Sequence, residues 1–453
     1  MDKTTEKLAG FATSLRYEDL SPETVRITEK LLIDTLGCAI GGYRSEPSRI
    51  ARRLAAKETS VPPARVLGSG ALTSIEAATF ANSVMVRYLD FNDTYFSLEV
   101  GHPSDMIAAI LAVADAHHST GKDVLLAVAT AYEVYAALSD VVSLWDKGWD
   151  HGYYLTFGTT AAVGQLLRLS KEQMGNAIAL ASAPNVATRQ TRSGALTMWK
   201  GCAAAAATRA GVFAASLAQE GMLGPSAAFE GRHGVWDQVT GKFEMPAMGV
   251  AGKPFAVKRT GIKFFPTEYH SQVPLGLILK LREKVALDDI ESIQVETYHF
   301  TFSEIGSEPA KWDPQTRETA DHSLPYMLAA ALSDGGISVS TFSEERIRDP
   351  KLRPLMNRIK VSENPEFERK FPSSMECRIE VVTKRGERHV EAGSYPKGSP
   401  KNPLTDVEVE QKFKALCQGI VAPDRCQSII DAVWALEANR DIGKVLELIE
   451  IKD

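Results

Sequence analysis

Between Leu89 and Asp105 the chain reads LDFNDTYFSLEVGHPSD. Asp90 and Asp93 stand three residues apart, Thr94 follows directly, and His102 comes shortly after. A carboxylate can orient an imidazole or exchange a proton with it, and imidazole is the side chain suited to take a proton near neutral pH. Pro103 fits the first turn of a helix, and the following MIAAILAVADAHH reads as a buried one, so His102 is expected at or next to a helix N-terminus. There the dipole disfavours imidazolium and favours bound anions. A neutral base beside an anion site is what proton abstraction next to a carboxylate requires. The same residue types also make ordinary turns and caps, so the pattern alone leaves both readings open.

Further groups with chemistry lie along the chain. His151 follows Trp149-Asp150 and precedes Gly152, where a loop histidine with a satisfied hydrogen bond is the plain alternative. Lys200 stands before an alanine run; it is either a lysine snorkelling to the surface or one aimed inward as a point charge for a carboxylate. Arg189 and Arg192, spaced i, i+3, fit a carboxylate clamp and equally an exposed loop. Lys263 and His270 flank Pro266-Thr267, which look like the start of a helix. Tyr326 sits in an amphipathic stretch and by itself reads as a core aromatic.

These residues must be positioned by two kinds of structure. Residues 1 to about 250 read as helix after helix; SPETVRITEKLLIDTLGCAIGG, for example, has Ser21 to cap it and Pro22 at its first position. Many of these helices are rich in Ala and Gly, which lets helix axes approach closely. The character then changes. ESIQVETYHFTF and RIKVSE alternate like strands, and MECRIEVVTKRGERHVEAGSY reads as a hairpin across Lys384-Arg385-Gly386. Helical stretches around HSQVPLGLILKLREK and DHSLPYMLAAALSD lie among them. After the connector YPKGSPKNPLT helices return from Asp406. The expected architecture is therefore mainly α with a smaller α+β domain: residues 1–261 and 404–453 form the helical domain, and residues 262–403 form the α+β one.

The 453 residues carry a net charge of -6, with 44% hydrophobic and 24% charged residues, as in an ordinary globular protein. That balance argues against a general nucleic-acid binder. No run of apolar residues is long enough for a membrane span, and the N-terminus lacks the apolar core of a signal peptide. Five scattered cysteines without a CxxC pair read as reduced thiols in a cytoplasm. No P-loop, HExxH or GxSxG occurs, and His117-His118 would project about 100° apart on a helix, a poor metal pair. A metal enzyme is disfavoured on these grounds and still open.

The stretch 89–105 closely resembles a loop of the MmgE/PrpD family, which includes 2-methylcitrate dehydratases, cis-aconitate decarboxylases and an epimerase of iminodisuccinate. GIKFFPTEYHSQVPL, ADHSLPYMLAAAL, WDHGYYLTFGTTAAVG and TRQTRSGALTMWKGCAAAA are similar to further family segments, in the family's order. The resemblance implies a large helical domain with a smaller α+β lid, a homodimer, and no metal or cofactor. It implies a lyase acting on a small anionic di- or tricarboxylate, with dehydration of 2-methylcitrate or a close relative leading. Decarboxylation, epimerisation and a catalytically silent carboxylate binder are the alternatives. It implies Asp93, His102, His151 and Tyr326 as catalytic residues, and Asp90, Thr94, Lys200, Lys263, His270 and Arg192 as substrate-binding ones. Dehydratases favour tryptophan in the loop where this chain has Tyr95 and Val100, which bears on the substrate more than on the reaction class.

Overall fold

A computed structural model describes residues 1–194, 196–250 and 253–451. The chain divides into two compact units. One comprises Met1–Thr191, Gly201–Gly261 and Thr405–Asp453; the other comprises Arg192–Lys200 and Ile262–Leu404.

The first unit is almost wholly helical. Its helices begin where side chains can take the exposed N–H groups of a first turn. Ser21 Oγ accepts from the Thr24 N–H ahead of Pro22–Gly42, with Pro22 at the first position. Thr120 and Asp123 cap Gly121–Ser139 reciprocally, and Thr405 and Glu408 do the same for Asp406–Cys417. The helix Ile107–Ala116 is buried along its entire length and packs on Ile75–Tyr88, Gly121–Ser139 and Gly152–Leu166. A helix apolar but for Asp115 belongs at the centre of a body, not on its surface.

Close approach has sequence causes. A Cβ on Gly42 would stand 2.2 Å from the Met85 carbonyl oxygen, so the helices Pro22–Gly42 and Ile75–Tyr88 meet backbone to side chain-free backbone. A Cβ on Gly41 would meet only the flexible tips of Leu416 and Leu89, each at 2.9 Å. All five cysteines are buried and stand outside any disulfide. Among the described residues no helix is long and apolar enough to cross a membrane.

The second unit is built on a four-stranded sheet in the order Ile359–Glu363, Ile290–Thr297, Cys377–Thr383, Arg388–Gly393. The first pair is parallel and the others antiparallel. Along Cys377–Thr383 buried and half-exposed residues alternate, as expected of a strand with one covered face. The helix Gln272–Arg282 covers that sheet and packs on Leu324–Asp334.

A backbone carbonyl cannot yield as a leucine tip can, so the two glycines should respond differently. Gly42→Ala is expected to lower stability by about 1–3 kcal/mol, the usual size of core overpacking, and Gly41→Ala by clearly less. Thermal unfolding of both variants checks this; equal midpoints would refute the packing account.

Candidate active site

The loop after Ile75–Tyr88 returns to a 3-10 turn, Pro103–Met106, that runs into Ile107–Ala116. The α-helix thus begins at Ile107, not at Pro103, and His102 caps the 3-10 turn. Its ring is held by the loop itself. Nδ1–H donates to the Asp93 backbone carbonyl at 2.6 Å, with Thr94 Oγ at 3.3 Å. A carbonyl can only accept, so Nδ1 carries a proton, and the neutral form of the ring would have its lone pair at Nε2. Nε2 lies 4.0 Å from Asp90 Oδ1. The His151 ring stands edge-on to His102, centroids 5.7 Å apart, with its own Nδ1 3.7 Å from Asp150 Oδ1. Gly101 makes room for this pair: a Cβ there would lie 2.0 Å from the Tyr135 hydroxyl and 2.7 Å from the His151 ring.

Asp93 is engaged within the loop through its carboxylate. Its buried carboxylate accepts from the Ser104 N–H at 3.0 Å, the Ser104 hydroxyl at 2.6 Å and the Tyr132 hydroxyl at 2.6 Å. It closes the loop by tying 93 to 104, and it touches His102 only through its backbone. Burial pushes its pKa up to about 6, against the pull of the Ser104 and Tyr132 hydrogen bonds. Asp90, by contrast, sits in the left-handed region with φ 50°, unusual for a residue other than Gly or Asn, and pairs with the buried Arg87. Arg87 Nε also lies 3.7 Å from Asp105 Oδ2, and Asn92 Nδ2 donates to Asp105 and to Ser104 Oγ, each at 2.9 Å. Glu99 fastens the far side of the loop: the Leu144 and Trp145 N–H groups donate to its carboxylate at 2.6 and 3.0 Å, shortly before Asp150-His151.

The second unit gathers buried cations. Lys263, Lys200 and Lys311 are at most 3% exposed. Lys200 Nζ donates to Asp321 Oδ1 at 3.2 Å, and His322 Nδ1 donates to the same oxygen at 2.6 Å. Burial draws the Lys311 ammonium below the usual lysine range; Glu308, Glu304 and Asp321 oppose this, and Lys200 adds to it. Burial also draws His270 down to about 3, with Lys263 and His322 adding repulsion, so its imidazole is neutral at physiological pH. His270 Nδ1 is hydrogen-bonded to the Tyr298 hydroxyl. Gln272 explains how Lys263 is turned inward: its side-chain oxygen accepts from the Phe264 and Phe265 N–H groups at 3.1 and 3.0 Å, and its amide donates to Phe265 O and Thr267. Pro266-Thr267 is therefore a pinned loop, and the helix starts only at Gln272.

Two expected site residues are placed differently. The Tyr326 hydroxyl, fully buried, donates to the Thr341 carbonyl at 2.6 Å, and burial raises its pKa, so it keeps its proton and is committed to a turn. Arg192, half-buried, ends the 3-10 turn Arg189–Arg192, while Arg189 stands over the Trp145 ring at 4.8 Å. The i, i+3 spacing thus does not make a two-arginine clamp here.

The sequence was compared with known proteins. The profile of the MmgE/PrpD N-terminal domain matches residues 6–247, and that of the MmgE/PrpD C-terminal domain matches residues 265–437. The chain belongs to the MmgE/PrpD family. It is 27% identical to a mitochondrial 2-methylcitrate dehydratase of Yarrowia lipolytica, over all of this chain and 91% of that protein. It is 29% identical to the 2-methylcitrate dehydratase of Escherichia coli K12, over 78% of this chain and 76% of that one. It is 24% identical to human cis-aconitate decarboxylase, over 98% and 94% of the two chains. Within this MmgE/PrpD chain, Asp321, His322 and Lys311 were not singled out from sequence. Asp321 and His322 lie in ADHSLPYM, a segment read for its tyrosine, and Lys311 has no neighbour in sequence that marks it.

Glu99 gives a pH signature to the loop. Burial raises its pKa from 4.5 to about 7, despite the two backbone donors. A raised folded pKa means that its stabilising contribution is complete below about pH 4.5 and is lost as pH climbs through about 7. Glu99→Gln, which cannot ionise, should lose that part of the dependence. Between about pH 4.5 and 8 the melting temperature of the wild type should therefore fall relative to that of Glu99→Gln; parallel curves would show that Glu99 ionises as freely folded as unfolded.

Proposed function

We propose that this protein is a lyase for a small di- or tricarboxylate, with dehydration of 2-methylcitrate or a close relative as its leading activity. The observation that carries the reading is the His102 ring, tied at Nδ1 to the Asp93 carbonyl beside His151. An imidazole held this way has one fixed tautomer, a defined direction for its Nε2 lone pair, and a second imidazole near by. His102 takes the proton from the carbon next to a carboxylate, and His151 gives a proton to the departing hydroxyl. Thr94 orients His102 at Nδ1; Asp90, in its left-handed conformation, and Asp93 hold the loop. Lys200, Lys263 and Lys311 neutralise substrate carboxylates, since buried ammonium groups are strong partners for carboxylate oxygens. Asp321 and His322 orient Lys200. Neutral His270 donates or accepts a hydrogen bond without adding charge. The family and the names of its relatives support the substrate class.

The 24% identity to a cis-aconitate decarboxylase along nearly the whole chain favours decarboxylation as the second reading. Both reactions handle a proton at carbon beside a carboxylate. The test is proton NMR of purified protein with a panel of 2-methylcitrate, citrate, cis-aconitate and related acids. Loss of the methine signal of 2-methylcitrate with collapse of its methyl doublet to a singlet, or a new vinyl resonance with citrate, is the expected outcome. Release of carbon dioxide from cis-aconitate would select the second reading, and an unchanged panel would remove both. With the active substrate, His102→Asn and His102→Ala should lower kcat by about 10²–10⁴, the usual size of a lost general base, at unchanged melting temperature. Wild-type kcat in both would return His102 to a structural role.

The same reading carries a cytoplasmic homodimer that works without metal or organic cofactor, because the sequence holds no motif with ligand spacing. Turnover should be unchanged after exhaustive dialysis against a chelator. Loss that one divalent metal restores would contradict the mechanism.

A further inference from the structure

Lys412 is a lysine almost without exposure, carried on the helix Asp406–Cys417. Its Nζ donates to the Phe91 carbonyl at 2.7 Å and lies 2.6 Å from Asp34 Oδ1 on the helix Pro22–Gly42. The same ammonium stands 3.8 Å over the Phe91 ring. Phe91 packs with Leu89, Cys38 and Leu416 in one buried apolar cluster. One cation thus joins two helices, distant in sequence, to the residue between Asp90 and Asn92.

We propose that Lys412 is a positioning residue: by holding the Phe91 carbonyl it fixes the backbone on which Asp90, Asp93 and, through the Asp93 carbonyl, His102 depend. Asp90 has φ 50°, and a backbone in that region persists only where the surroundings over-determine it. Arg87 holds the Asp90 side chain, and Lys412 holds the next peptide carbonyl. The carbonyl that receives His102 Nδ1 belongs to Asp93, two residues further on. A turn of Phe91 would move that acceptor and with it the direction of Nε2. The C-terminal segment is therefore part of the working loop's support although it follows the α+β unit in sequence. This rests on the proposed function only in taking His102 as the working base.

The rival role is charge balance. Asp34 is buried, and its charge raises the pKa of Asp93, so Lys412 could serve only to neutralise it. The paired variant Asp34→Asn, Lys412→Met separates the two roles, because it removes both charges with side chains of similar size while leaving the Phe91 carbonyl without its donor. If Lys412 positions the loop, the pair melts near wild type, kcat falls about 10- to 100-fold, as for a group misplaced by a fraction of an ångström, and KM changes less than about threefold. In the same pair, amide hydrogen exchange of peptides covering 89–102 becomes faster. Wild-type kcat and wild-type exchange in a stable pair would overturn the proposal, as would a pair that fails to fold, since the contact would then serve stability alone. The exchange measurement needs no substrate. Absence of turnover by the wild type on every acid tested would refute the proposed function, and exchange would still decide the part played by Lys412.

Discussion

The Asp93 carboxylate is the interaction on which the rest of the helical unit's site depends. A carboxylate with no exposure costs several kcal/mol to bury unless it is hydrogen-bonded. Here the donors are the Ser104 N–H, the Ser104 hydroxyl and the Tyr132 hydroxyl. Satisfying them folds the chain back so that 102 lies over 93, and it roots the loop on the helix Gly121–Ser139. The His102 hydrogen bond follows from that closure, because the Asp93 carbonyl is then the acceptor nearest Nδ1. The balance is close: burial still wins over the hydrogen bonds, and the group titrates near 6. Buried anions in this region, Asp34, Asp90, Asp93 and Asp105, face the buried cations Arg87 and Lys412, so each ion pair constrains the others.

Much of this was legible in sequence wherever the signal is local. Ser21-Pro22 marked a helix start, Gly386 marked the hairpin turn with its positive φ, and the loop 89–105 announced its chemistry by composition. Local signals failed where a distant side chain decides. Pro266-Thr267 has the look of a first helical turn, but the Gln272 side chain captures the loop's N–H groups and delays the helix. Pro103 opens a 3-10 turn instead of the α-helix, so loop hydrogen bonds and not a dipole orient His102. Asp93 has the right type for proton exchange, and only the fold shows that Tyr132, far along the chain, already holds it. Lys200 gains meaning from Asp321, 121 positions away, a pairing that no spacing rule could announce.

The two units carry different chemistry. The helical unit holds two neighbouring imidazoles, His102 with its Nδ1–H bonded to a carbonyl, suited to moving protons. The α+β unit holds three buried lysines with neutral His270, suited to receiving carboxylates. A buried ammonium needs an anion: Lys200 has Asp321, and Lys311 lies 3.8 Å from Glu308.

The central claim is that the loop fixes His102 as a neutral base with its lone pair at Nε2. Nitrogen-15 NMR of histidine-labelled protein, with His102 assigned by difference from His102→Asn, reads this directly. The account predicts that the neutral ring shows a protonated Nδ1 and an unprotonated Nε2. The opposite tautomer, or an even mixture of the two, would contradict it.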